Sequence, residues 1–219
     1  MKYKQKGFTV VELMIATTVF SFVLLVASSG VIAIGKIYYK GITSAKTQET
    51  TRTIMEEIAR ARQFSGGNIG EELPAVPIGG LQAYCFGEDR YSYIINSKLD
   101  LDADPNGRAL FHDIRTNLSQ CEPQTSVGEE LLSDNMRLLE FSIEPVEVEN
   151  ADGTISISAD KSTIKVKVAY GDNDLLSNYD DSGNPNGVVP ADALCKGGAG
   201  STFCSTAQLE TVVGKRYAN

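Results

Sequence analysis

The chain predicts an α+β fold: one long N-terminal helix, part membrane-spanning and part amphipathic, packed on an antiparallel β-sheet, with an irregular disulfide-bounded C-terminal region. Three observations carry this. Residues 8–64 read as one continuous helix, uncharged and apolar over 13–35 and amphipathic beyond. Three later segments alternate apolar and polar residues with period two. Residues 171–206 show no periodicity and are rich in Asp, Asn and Gly.

The organisation follows in order. Residues 1–7 are a short basic leader with Lys2, Lys4 and Lys6. Residues 8–35 are long enough to cross a bilayer, which needs about 20 apolar residues. Residues 36–64 continue the same helix, with Thr47, Thr51, Ile54, Ile58 and Ala61 on one face and Glu49, Arg52, Glu56, Glu57 and Arg60 largely elsewhere. Ser65-Gly66-Gly67 ends it. The helix is then about 85 Å long. Only its second half can pack on a globular head, so the apolar half projects and needs lipid or identical rods around it. Ser28-Ser29-Gly30 interrupts the rod with weak helix formers. These permit close helix contact, or mark a point of local melting when the chain leaves the membrane.

The apolar run carries a single acid, Glu12, at its entrance, five residues after Gly7. An acid near a membrane helix centre costs about 2.5 to 3.5 kcal/mol on insertion scales, so Glu12 calls for a partner. Cleavage between Gly7 and Phe8 supplies one: the terminal amine of Phe8 on a neighbouring copy. A plain anchor and a secretory signal cut near Val26-Ala27-Ser28-Ser29 are the competing readings. An anchor gains nothing from Glu12, and a secretory signal has an apolar stretch of only about 7 to 15 residues.

Basic leader, glycine, Phe8 and an acid at the fifth mature position together resemble the class III signal of type IV prepilins and of type II secretion pseudopilins. The resemblance covers about the first thirty residues. It implies cleavage after Gly7 and N-methylation of Phe8 by a prepilin peptidase. It also implies assembly through Glu12 with other pilin subunits at an inner-membrane assembly platform, and residence in membrane lipid beforehand. The leader lysines fit an N-terminus left in the cytoplasm, with the bulk of the chain outside the bacterial inner membrane and later on an extracytoplasmic filament.

Residues 65–219 form the outward head. A Gly/Pro loop over 65–81 precedes the strands. Tyr91, Tyr93 and Ile95 alternate with Ser92 and Asn96. Leu139, Phe141 and Ile143 alternate with Glu140, Ser142 and Glu144. Ile164, Val166, Val168 and Tyr170 alternate with Lys165 and Lys167. Each pattern predicts a sheet with one buried face, lying on the amphipathic half of the helix. Asp152-Gly153 signals a hairpin turn, and residues 208–213 read as a final strand. Residues 171–206 occupy the place of the variable region in pilins. The tail ending Lys215-Arg216-Tyr217-Ala218-Asn219 loosely resembles PilW-like and J-type minor pilins, though two residues separate Arg216 from Asn219 and no leucine precedes the arginine.

The formal net charge is −8, and losing the three leader lysines would leave −11. This acidity argues against a broad nucleic-acid surface. Cys85, Cys121, Cys195 and Cys204 all lie in the outward part, where an oxidising compartment favours disulfides. Three pairings exist. Cys195–Cys204, closing a short Gly-rich loop, is favoured, which leaves Cys85–Cys121. Asp102, Asp104, Asn106 and, at the twelfth position, Asp113 approximate a calcium loop, while Asp104-Pro105-Asn106-Gly107 reads more simply as a plain β-turn. Asp172, Asp174, Asp180 and Asp181 are a vaguer calcium candidate, more simply a solvated acidic loop. No other cofactor is called for. His112 is the only histidine and no nucleophile, phosphate-loop or dinucleotide motif accompanies it, so no catalytic constellation is visible. The expected function is a pilin-like structural subunit, a minor pilin or pseudopilin. The alternative is a membrane-anchored adhesin or calcium-binding domain that never polymerises.

Overall fold

The computed structural model describes residues 7–65, 80–102, 107–116, 121–124, 128–149, 153–177, 190–198 and 200–216, and it begins with one long helix, α1 (Val10–Phe64). The helix is unbroken at Ser28-Ser29-Gly30, where the Ser29 hydroxyl donates to the Val26 carbonyl at 2.8 Å. Its buried stripe is Thr43, Thr47, Thr51, Ile54, Met55, Ile58 and Arg62. The three threonines need no outside partner: each hydroxyl donates to the carbonyl four residues back, at 2.7 to 3.0 Å. Their small side chains let the sheet approach closely. Ala61, expected on this face, is only half-buried, and Arg62 is the fully buried residue. Its Nε donates to the hydroxyl of Ser162 at 3.1 Å, which offsets part of the cost of burying a cation.

Among the described residues the head contains two antiparallel sheets where the alternation suggested one. The first orders β1 (Gln82–Phe86), β2 (Asp89–Tyr93), β3 (Leu110–Ile114) and the short β4 (Glu129–Glu130). The second orders β5 (Met136–Glu149), β6 (Ile155–Tyr170) and β7 (Ser205–Gly214). β6 and β7 lie against α1. One core joins Ile54, Met55 and Ile58 of the helix to Phe86, Tyr91 and Tyr93 of the first sheet and Ile164, Val166 and Val168 of the second.

Each sheet has part of its other face covered, while Ile114 on β3 and Leu209 and Val212 on β7 stay exposed. Ser92, expected to point outward, is fully buried, and its hydroxyl accepts the Gln124 N–H at 3.1 Å. The 121–124 segment covering it is tied down by the Cys85–Cys121 disulfide. On the second sheet Lys167, expected to be solvated, is buried and donates to the carbonyl of Ala191. There Leu139, Ala169, Leu176, Ala193 and Cys204 form a second apolar cluster, held by the Cys195–Cys204 disulfide. The expected grouping of Leu139 with Phe141 and Ile143 is also corrected. Leu138 pairs with Val168 and Glu140 with Lys167, so Leu139 is the extra residue of a β-bulge and packs in the second cluster. Of the expected Asp152-Gly153 turn, Asp152 lies outside the described residues; Gly153 has a left-handed φ of 81°.

The first sheet is tied to the helix electrostatically. His112 Nε2 lies 2.8 Å from an Asp89 oxygen, its Nδ1 lies 3.5 Å from Glu57 on α1, and its ring stacks on Tyr91 at 4.8 Å. Burial pushes the Glu57 carboxyl above its ordinary value of 4.5; His112 pulls it back, while Glu129 and Asp89 push it further up. Because the folded state holds this proton more tightly, the stability it contributes is complete below the ordinary carboxyl value. It is lost as pH rises through the elevated one. Glu57→Gln is expected to remove that fall from a plot of Tm against pH; an unchanged slope would show that Glu57 titrates normally.

Candidate functional site

The N-terminal segment is built for access at one end and burial elsewhere. Gly7, Phe8 and Thr9 are non-helical and exposed, with Phe8 85% accessible, so the bond between Gly7 and Phe8 lies outside the helix and open to solvent. A Cβ placed on Gly7 would meet nothing within 4 Å. The fold itself therefore does not require glycine there, and any such requirement belongs to what binds the segment.

Thr9 is the N-cap of α1, and with Glu12 it forms a capping box. The Glu12 carboxylate accepts the Thr9 backbone N–H and hydroxyl, each at 2.9 Å, and the Thr9 hydroxyl accepts the Glu12 N–H at 3.3 Å. Glu12 thus has a partner within its own chain. The signal was present as Thr9-Val10-Val11-Glu12, the T-x-x-E pattern before an apolar run, and the sequence reading overlooked it. The box satisfies backbone donors that a helix end leaves open and places a negative charge on the positive end of the helix dipole. It leaves the carboxylate at the exposed tip of the rod.

Beyond Glu12 the rod is bare. Val10, Leu13, Ile15, Phe20, Leu25 and Ile32 are each more than half exposed, and the helix side chains stay exposed as far as Tyr39. A monomer seldom leaves so large an apolar patch in water. The rod has a mean hydropathy of 2.3 over its most apolar 18 residues and is long enough to cross a membrane.

The remaining predicted residues lie elsewhere in the chain. The disulfides are Cys85–Cys121 and Cys195–Cys204, 36 and 9 residues apart. Asp113 sits on β3 and is held by Arg90, whose Nε donates to one carboxylate oxygen at 2.9 Å and whose Nη2 donates to the other. A cation at this position would have to displace Arg90. Asp102 lies in an exposed turn, while Asp104 and Asn106 lie outside the described residues. Of the second acidic group, Asp172 accepts from Lys98 at 2.7 Å, and Asp180 and Asp181 are not among the described residues. Among the described residues no group of three or more His, Cys, Asp or Glu side chains is placed to hold a metal. The leader lysines likewise lie outside the described residues.

No curated protein and no solved structure matches the chain. Residues 2–28 match the family model of the prokaryotic N-terminal methylation motif. An exposed glycine junction, a capped acid and a bare apolar rod all fall within or directly after that stretch, so the chain carries a prokaryotic N-terminal methylation motif on an accessible N-terminal segment.

Proposed function

We propose that the protein is a minor pilin or pseudopilin of a type IV pilus or type II secretion filament, cut after Gly7, methylated on Phe8 and assembled through residues 8–35. The observation that carries this is the coincidence of the methylation motif with a helix whose apolar surface the head leaves uncovered. Burying that surface against lipid, and later against identical helices, is the non-directional part of the driving force. The directional part is Glu12. In the monomer it caps its own helix; in a filament it takes the Phe8 ammonium of a neighbour, and one charge pair with one good alignment sets the axial register. The partners are therefore other pilin subunits, a prepilin peptidase, an inner-membrane assembly platform and, before assembly, membrane lipid. The acidic head favours no nucleic acid. The minor assignment rests on the length of the chain and on the likeness of its tail to PilW-like proteins.

Mass analysis of the protein purified from its native envelope tests the reading. The expected mature chain begins at an N-methylated Phe8. An intact Met1 on an unpolymerised protein would overturn the assignment in favour of a simple membrane anchor. Dense immunogold labelling along whole filaments would overturn the minor role while leaving the filament role standing.

A further inference from the structure

The head is fastened to the helix at one defined height. Lys40 donates its ammonium hydrogens to the carbonyls of Ser201 at 3.1 Å and Cys204 at 2.6 Å, and the Thr202 carbonyl lies 3.4 Å from the Thr43 hydroxyl oxygen. The Cys195–Cys204 disulfide closes this loop. Gly171 lets the chain pass beneath it: a Cβ there would stand 2.7 Å from the Phe203 carbonyl, and its φ is +115°. The clamp holds the Phe203 ring 6.1 Å from Tyr39, which meets Tyr38 edge-on at 6.2 Å. Yet Phe203, Tyr38 and Tyr39 remain 53%, 65% and 55% exposed. Three aromatic rings are thus gathered on a constrained loop and helix and left open.

Their height explains why. The apolar run 13–35 spans about 35 Å at 1.5 Å per residue, which covers a hydrocarbon core of about 30 Å. Tyr38 and Tyr39 follow by one helical turn, about 5 to 6 Å farther out. The headgroup layer on each side of the core is about 5 to 7 Å thick. Lys36, exposed between run and rings, has the reach to extend its ammonium into that layer. Aromatic rings concentrate at this depth because each presents an apolar body to the acyl chains and, in tyrosine, a polar tip to water.

We propose that the Cys195–Cys204 loop is a membrane foot: Phe203, with Tyr38 and Tyr39, seats the head in the headgroup region of the outer leaflet before assembly. The foot holds the head at a fixed height on the bilayer, and extraction of the subunit must lift it. The proposal rests on the helix spanning the membrane, and the test separates the two. The chain contains no tryptophan, so single reporters are unambiguous. Three variants of the full chain are placed in phosphatidylethanolamine/phosphatidylglycerol vesicles at high lipid excess: Phe203→Trp, Val23→Trp at mid-rod and Ile114→Trp, 58% exposed on β3. Emission is read with lipids brominated near the headgroup or deep in the acyl chain. The foot predicts a blue-shifted Phe203→Trp reporter quenched at least twofold more by shallow than by deep bromines, with Ile114→Trp unquenched and Val23→Trp quenched deep. A Phe203→Trp reporter as red and unquenched as Ile114→Trp, beside a deep-quenched Val23→Trp, would sink the foot and spare the spanning helix. A blue shift without quenching would assign the rings to a protein neighbour and overturn the proposal. Failure of quenching at Val23→Trp would overturn the membrane reading itself.

Discussion

Glu12→Gln is expected to lower incorporation into filaments at least tenfold, equivalent to about 1.4 kcal/mol, while leaving cleavage and membrane insertion in place. This variant separates two roles that Glu12→Ala or Glu12→Val would remove together. Glutamine at the third helical position supports a capping box as glutamate does, so the contacts to Thr9 survive and only the charge is lost. Thr9→Val is the converse: it removes the cap hydroxyl and keeps the carboxylate. Its cost falls in the range of a lost cap, about 0.5 to 2 kcal/mol of helix stability, with subunit register unaffected. Quantitative immunoblots of sheared filaments against total envelope measure both. Normal incorporation of Glu12→Gln would refute pairing with a neighbour's Phe8 amine and leave Glu12 as a helix cap alone.

Removing the Cys85–Cys121 disulfide by paired Cys→Ser substitution is expected to destabilise the head by about 3 to 4 kcal/mol. The figure follows from the chain entropy released in the unfolded state by a loop of this length, set by the separation of 36 residues. The loss of cover adds to it. Without the tether the 121–124 segment no longer holds itself over Ala83, Cys85 and Ser92, all now buried. The equivalent change at Cys195 and Cys204, only 9 residues apart, is expected to cost about 2.5 to 3 kcal/mol by the same relation. Urea unfolding of the full chain in detergent, followed by far-UV circular dichroism of the sheet, gives both values. An unchanged midpoint in the Cys85/Cys121 variant would show that the covering segment is held by its other contacts. Those are the Arg90 donation to the Glu122 carbonyl at 2.9 Å and the Gln124–Ser92 bond at 3.1 Å.

The sequence alone determined the long helix, because fifty-five residues with no strong breaker and a change from all-round to one-sided apolarity leave few alternatives. It determined the methylation motif too, because that motif is local: glycine, phenylalanine, acid and apolar run stand within one short stretch. The strand period was also legible over the second half of β6, whereas β1, which pairs as regularly with β2, was not read from the sequence. Tertiary structure decided what local pattern cannot carry. Whether Lys167 and Ser92 face water depends on loops that are distant in sequence and fold back as lids. Which face Leu139 takes depends on a bulge, since one extra residue reverses an alternation of period two. Arg62 lies inside, where it meets a serine one hundred residues away. The height of Phe203 beside Tyr39 depends on Lys40 reaching two carbonyls across the fold. In each case the deciding free energy is a contact between distant segments, and periodicity records only neighbours along the chain.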